Sequence, residues 1–518
     1  MQGDSVLSGG IVVADATGNT GLRTTTNIIT LNGNSFINLN DRDGTGSALY
    51  ANGQNAKNTL TGTSTSDSEI VGDVVADSGE NGIGAPAKAQ NIIELDKLRI
   101  AGDVNAFRGG ENALKLTSGD IIGNILAQDS GQNTIDAQTD SQVEILGTFS
   151  AREGGRNEIK LHNNSTISIT SNNNNNAFQA VGQGATNTIT EINANATTGT
   201  ITGDVYAEIK GQNTFTARKL LITGNIVTYD GTNTITIGDV TDSGIVGNLL
   251  ADSVNASGRA ESKNIITLKQ SAKLEGYIQA QGTSTEKKAT NTITLNEDSF
   301  LNLIGGNIVD GGGGQLGTGN DAIFSETLQA YNVITDNSTP TTQSTITGNI
   351  FAKGNTKDIT QKGGNEITLK HVAITGDIVA QTGGLNKLIL GMTGKASSIA
   401  GNILANDTGT NTLTLTDVTM NTRGTSIQAT ADGNPDKTTN TLTLDGNSTI
   451  TDMYLVANQG QDAGGGIGET SNTITLGGTS SLHLIASQEG NAILTRGVSS
   501  KTTIIDNTTS KHLSLIHI

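Results

Sequence analysis

No cysteine and no tryptophan occur in the 518 residues. Without thiols there can be no disulfide framework and no thiolate metal site. Proline appears 3 times, aromatic residues make up 3% and charged residues 15%, where a compact domain carries about 25% charged. Basic residues number 31 against 49 acidic, a net charge of −18. No basic cluster exceeds the adjacent Lys287 and Lys288, which argues against nucleic acid as a partner. No window reaches 18 apolar residues, so no transmembrane helix is expected. The opening MQGDSVLSGG has neither the basic nor the apolar region of a signal peptide.

What the chain has instead is 76 Thr, 67 Gly and 54 Asn. Thr suits strands, while Gly and Asn suit tight turns. These residues recur in order. The pattern Asn-x-apolar-x-apolar starts at Asn27, Asn91, Asn112, Asn157, Asn233 and Asn264, and again at Asn291, Asn365, Asn411, Asn440 and Asn472. Looser copies start at Asn58, Asn133, Asn187, Asn213, Asn332, Asn386 and Asn491. Between them recurs apolar-x-Gly-Asn/Asp-apolar-x-Ala, with its turn glycine at Gly72, Gly102, Gly123, Gly203, Gly224, Gly247, Gly348, Gly376 and Gly401.

The shortest complete unit, Asn112 to Gln132, reads as a strand, a four-residue turn, a second strand and a Gly-bearing turn. Alternate strand residues share a side. Asn112, Leu114 and Leu116 therefore face one way in the first strand, as Ile121, Gly123, Ile125 and Ala127 do in the second. So short a unit buries its apolar face only by stacking on its neighbours. The expected fold is all-β: a single-stranded parallel β-helix (β-solenoid), right-handed by the crossover rule, of about 18 coils. It should run continuously over 1–510, cut at both ends. The tail 511–518 lies outside the repeat, and its LSLIHI looks like a translated sequencing-adapter end.

The Asn anchors are expected to face inward at a corner, bonded from coil to coil. Short corners before them often place Gly two residues ahead of Asn (Gly110, Gly131, Gly155, Gly211, Gly231, Gly384, Gly409), read as a need for positive φ. Long corners fall at 15–26, 77–90, 252–263, 281–290, 353–364, 430–439 and 458–471, and make one edge the expected binding region.

Catalytic chemistry is sparse. Acidic residues after the turn glycine (Asp73, Asp103, Asp204, Asp377) alternate with Asn at Asn124, Asn225, Asn248, Asn349 and Asn402. That alternation suits a structural ladder better than a glycosidase carboxylate pair. His162, His371 and His483 stand in separate coils and read as surface residues. DRDGTGS at Asp41 and GTGNDAIF at Gly317 resemble calcium loops only in part. No catalytic residue, cofactor or metal site is expected, and the chain is read as no enzyme. Outward Thr-x-Thr pairs such as Thr188/Thr190, Thr412/Thr414 and Thr441/Thr443 would form a flat array, which resembles ice-binding solenoids.

The ladder of NTITL- and ITGNI-type strands over about residues 5–505 resembles the passenger regions of Gram-negative autotransporters, especially long surface adhesins. That resemblance implies export through the outer membrane and a place on the cell surface or outside the cell. It also implies adhesion to a host glycan or protein, or self-association. Two features of the family pattern are not seen: a signal peptide and a run of C-terminal barrel strands. The function expected is a non-catalytic adhesin or stalk. A carbohydrate-active β-helix enzyme is the alternative, with a toxin passenger and an ice-binding array behind it.

Overall fold

The computed structural model describes residues 6–17, 24–40, 46–63, 67–79, 88–172, 175–192, 198–238, 242–253, 261–282, 288–306, 319–326, 329–354, 363–431, 437–459, 469–487, 490–497 and 499–509. Regular structure among them is all strand. The chain divides into two compact units, residues 1–245 and 246–518, and each winds as a parallel β-helix.

A coil contributes three strands, one to each of three faces, A, B and C. In the first unit Arg156–Leu161, Thr166–Thr170 and Asn176–Val181 are followed by Thr186–Glu191, Thr198–Thr202 and Asp204–Glu208. These pair in parallel, face on face, with Asn157 opposite Asn187, Ile169 opposite Ile201 and Ala180 opposite Ala207. The second unit repeats the scheme, with Asn365 opposite Asn386, Ile374 opposite Ile399 and Ala380 opposite Ala405. Inward residues are aliphatic and fully buried, for example Ile159, Leu161, Ile167 and Ile169. Phe149, Phe178 and Phe215 fill the middle of the first unit, with ring centroids 4.9 and 4.6 Å apart. Each such side chain contributes about 1.5–3 kcal/mol from burial.

Three expectations need correction. The coil has three strands, not two: the segment from Ile121 to Ala127 breaks after Ile122 and resumes at Ile125, while Glu111–Ile122 runs unbroken through the four residues expected to turn. Gly123 itself forms the corner. A Cβ there would lie 2.1 Å from the Gly102 carbonyl oxygen, and one at Gly102 would lie 2.3 Å from that of Gly72. Backbone packs directly on backbone at this corner, so only glycine fits.

The glycine two residues before Asn is also present for closeness and not for positive φ. Except ahead of Gly231, where Asp230 alone has it, positive φ belongs to the two residues ahead of the glycine: Asp129 (51°) and Ser130 (65°), Ile209 (50°) and Lys210 (66°), Asp407 (43°) and Thr408 (69°). Two successive left-handed residues make a type I′ turn. The glycine that follows abuts the coil beneath. Cβ atoms at Gly131, Gly155 and Gly211 would each lie 2.0 Å from an alanine carbonyl oxygen, of Ala106, Ala127 and Ala180 respectively.

Third, Asn491 does not occupy an anchor position. Ile493–Arg496 beside it belongs to face C, pairing with residues 455–458. The residue stacked on Asn472 is Thr502.

Candidate functional site

Buried side-chain ladders at the corners free the outward positions for other work. Where face C turns into face A, Asn side chains run coil to coil. In the first unit the Nδ2 of Asn27, Asn58, Asn91 and Asn112 each donates to the Oδ1 of the next anchor, at 2.8, 2.9, 2.8 and 2.9 Å. The series continues through Asn133, Asn157, Asn187 and Asn213 to Asn233. In the second unit it passes from Asn264 through Asn291, Asn332, Asn365, Asn386, Asn411 and Asn440 to Asn472. The second Nδ2 hydrogen bonds a face-C carbonyl of the same coil, as Asn112 does to Asn105 at 2.7 Å. Each amide thus satisfies its own chain and its neighbour's.

At the glycine corner between faces B and C, Asp and Asn do equivalent work. Asp73 Oδ1 accepts from the Asp103 backbone N–H at 2.8 Å, and Asp103 Oδ1 from that of Asn124 at 2.6 Å. In the second unit Asn349 accepts from Asp377 N–H and Asp377 from Asn402 N–H, at 2.9 and 2.7 Å. These carboxylates cap backbone donors of the next coil. The remaining corner holds buried serines that sequence reasoning missed. The hydroxyl oxygens of Ser344, Ser397 and Ser448 accept from the backbone N–H groups of Leu301, Val372 and Val418 at 3.0–3.1 Å. Serine is so ordinary a turn residue that only its recurrence at one corner could have revealed the role.

Face A carries the chemistry left over. In the second unit its outward positions include Thr412, Thr441 and Thr473 in one rank and Thr414, Thr443 and Thr475 in the next. In the first unit the Thr ranks give way to a charged island. The rank Thr30, Thr61, Glu94, Lys115, Asp136, Lys160 crosses six coils in register. Two troughs flank the first four coils. One, of about 370 Å³, is lined by Lys57, Lys88, Gln90 and Glu111 among others. Lys88 pairs with Glu111 there, and Gln90 donates to the same carboxylate at 2.8 Å. The other, of about 460 Å³, is lined by Thr61, Glu94 and Lys115 and, two residues on in each case, by Thr63, Asp96 and Thr117, among others. Thr117 donates to Asp96 Oδ1 at 3.3 Å.

The histidines are less isolated than expected. His162 Nε2 lies 2.7 Å from Asp136 Oδ1 on the adjoining coil, and His483 Nδ1 lies 3.6 Å from Asp452. Spacings in sequence conceal these pairs because the partners are a full coil apart. Burial, then the charge of Lys395, holds His371 below its ordinary value.

Half or more of each long corner lies outside the described residues, as do residues 41–45, Gly317 and the tail 511–518. The described stems of two corners are pinned by serine: Ser78 Oγ accepts from Ala89 N–H at 2.9 Å, and Ser262 Oγ donates to the Asp252 carbonyl at 2.6 Å. Among the described residues no three His, Cys, Asp or Glu side chains gather in a metal-ligand group, and no helix is long and apolar enough to cross a membrane. A scan against protein-family models and a search of curated proteins each gave no match.

Proposed function

We propose that the chain is a non-catalytic β-helical passenger of the autotransporter kind, acting as stalk and adhesive surface at the cell surface of a Gram-negative bacterium or released from it. The observation that carries this reading is the division of labour between corners and faces. Corner ladders bond the coils internally, and long polar ranks stack in register on face A outside them. Repetition of weak contacts along such ranks and along the corner edge gives avidity. The partner is a host glycan or protein, or a second copy of the passenger.

Protein-coated beads should adhere to cells or to one another. Deleting 252–263 and 353–364 together should reduce adhesion at least several-fold if the corner edge carries the contact. Unchanged adhesion would discredit that version. A carbohydrate-active enzyme is the second reading. It is favoured by Glu94 and Asp96, which stand two residues apart on one trough, about 7 Å along a strand and within the spacing of inverting glycosidases.

A further inference from the structure

We infer that the trough along Thr61, Glu94 and Lys115 binds a neutral, linear polysaccharide laid along the stacking direction. This rests on the adhesive reading above and names its ligand. The trough is open and polar, and most of its lining comes in pairs two residues apart on successive coils. Thr30, Thr61, Glu94 and Lys115 stack in register, and Asn32, Thr63, Asp96 and Thr117 follow them two residues on. Coils repeat at about 4.8 Å, close to the length of one pyranose unit in an extended chain. From Thr30 to Lys115 four coils offer roughly 14 Å of such repeats, enough for about three sugar units. A ligand whose hydroxyls recur at that interval meets a fresh pair of side chains at every step.

The chemistry of the walls narrows the class. Hydroxyls of Thr30, Thr61, Thr63 and Thr117 both donate and accept, and the Asn32 amide does likewise. Glu94 and Asp96 accept charge-assisted hydrogen bonds from hydroxyl groups. Among the described residues no aromatic ring lines the trough, so the affinity expected comes from hydrogen bonds and not from stacking on sugar faces. With two carboxylates and one lysine among its described lining residues the trough is net negative, on a chain of net charge −18. That balance opposes an acidic polysaccharide such as a polyuronate. In the second unit the positions three residues after the anchors hold Thr414, Thr443 and Thr475 in place of Glu94 and Lys115, although Asp445 stands five residues after its anchor as Asp96 does.

Titration calorimetry on the full chain should use cellohexaose, xylohexaose and mannohexaose, with hexagalacturonate as the acidic counterpart. At least one neutral hexamer should bind in the millimolar range or tighter, and hexagalacturonate at least ten-fold more weakly. Thr61→Val with Thr117→Val should weaken that binding at least ten-fold. Glu94→Gln, at an exposed position, should weaken it several-fold. Thr347→Val with Thr375→Val, an exposed stacked pair on face B of the second unit, should leave it unchanged. Absence of binding by every neutral hexamer at millimolar concentration would overturn the inference. So would equal binding of hexagalacturonate, or parental affinity in both the double-valine and Glu94→Gln variants. Beads coated with the same protein separate the two claims. Adhesion without hexamer binding rejects the neutral-glycan trough alone, whereas beads that adhere to nothing reject the adhesive reading beneath it.

Discussion

Gly155→Ala is expected to destabilise the first unit by about 3 kcal/mol or more, while Gly154→Ala, one residue earlier, costs about 1 kcal/mol. The two glycines differ in what surrounds them. At Gly155 an added Cβ would lie 2.0 Å from the Ala127 carbonyl oxygen and 2.3 Å from its carbon. Both atoms belong to the strand beneath, and neither can move aside without lifting one coil from the next. At Gly154 the nearest atom, Ser130 Oγ, would be 3.5 Å away, and the cost is only that of holding alanine at a φ of 81°. Ser130, Lys210 and Thr408 already occupy that position in other coils, with φ of 65–69°. Chemical denaturation of the two variants beside the parent gives the comparison. Equal losses would mean that the corner tolerates a methyl group and that the coils are less closely stacked than described.

Asn112→Ala should cost about 3–5 kcal/mol, far more than a typical buried hydrogen bond, because three buried partners lose a contact together. Asn91 loses an acceptor for its amide, Asn133 loses a donor to its Oδ1, and the Asn105 carbonyl loses its only side-chain donor among the bonds described. Coils of a solenoid contact chiefly their neighbours, so the damage should be local. Hydrogen exchange is the suitable measurement. Amides of residues 90–95 and 132–137, on the strands stacked either side, should lose protection by roughly a hundred-fold or more, while those beyond two further coils keep it. A loss confined to about ten-fold would reduce the ladder to an ordinary set of turn contacts.

The solenoid was legible because its anchor, Asn followed by alternating apolar residues, survives from Asn27 to Asn472. The third strand was not. Inward parity continues across the glycine corner, so Ile121, Gly123, Ile125 and Ala127 look like one strand even though the backbone bends at Gly123. A two-residue period records which side a residue faces and carries no information about a change of face. The role of Gly155 was misjudged for a related reason. Both demands on a turn glycine, positive φ and lack of a side chain, leave the same letter in the sequence. The trough is harder still to see. Thr61, Glu94 and Lys115 are 33 and 21 residues apart in the chain, and only the coil register, unequal from one corner to the next, brings them into one rank.

Because the chain contains no cysteine, paired cysteines report its register without background. Three outward pairs test the three faces of one coil interface: Thr134→Cys with Glu158→Cys, Glu144→Cys with Ser168→Cys, and Arg152→Cys with Val181→Cys. Each pair lies on directly stacked strands about 4.8 Å apart, within disulfide reach. All three should close on mild oxidation as bonds within one molecule. Glu144→Cys with Thr166→Cys, displaced by one pleat to about 8 Å, should stay reduced. Closure of the first pair alone, with the second and third remaining reduced, would contradict the three-sided stack on which the ladders and the trough both depend.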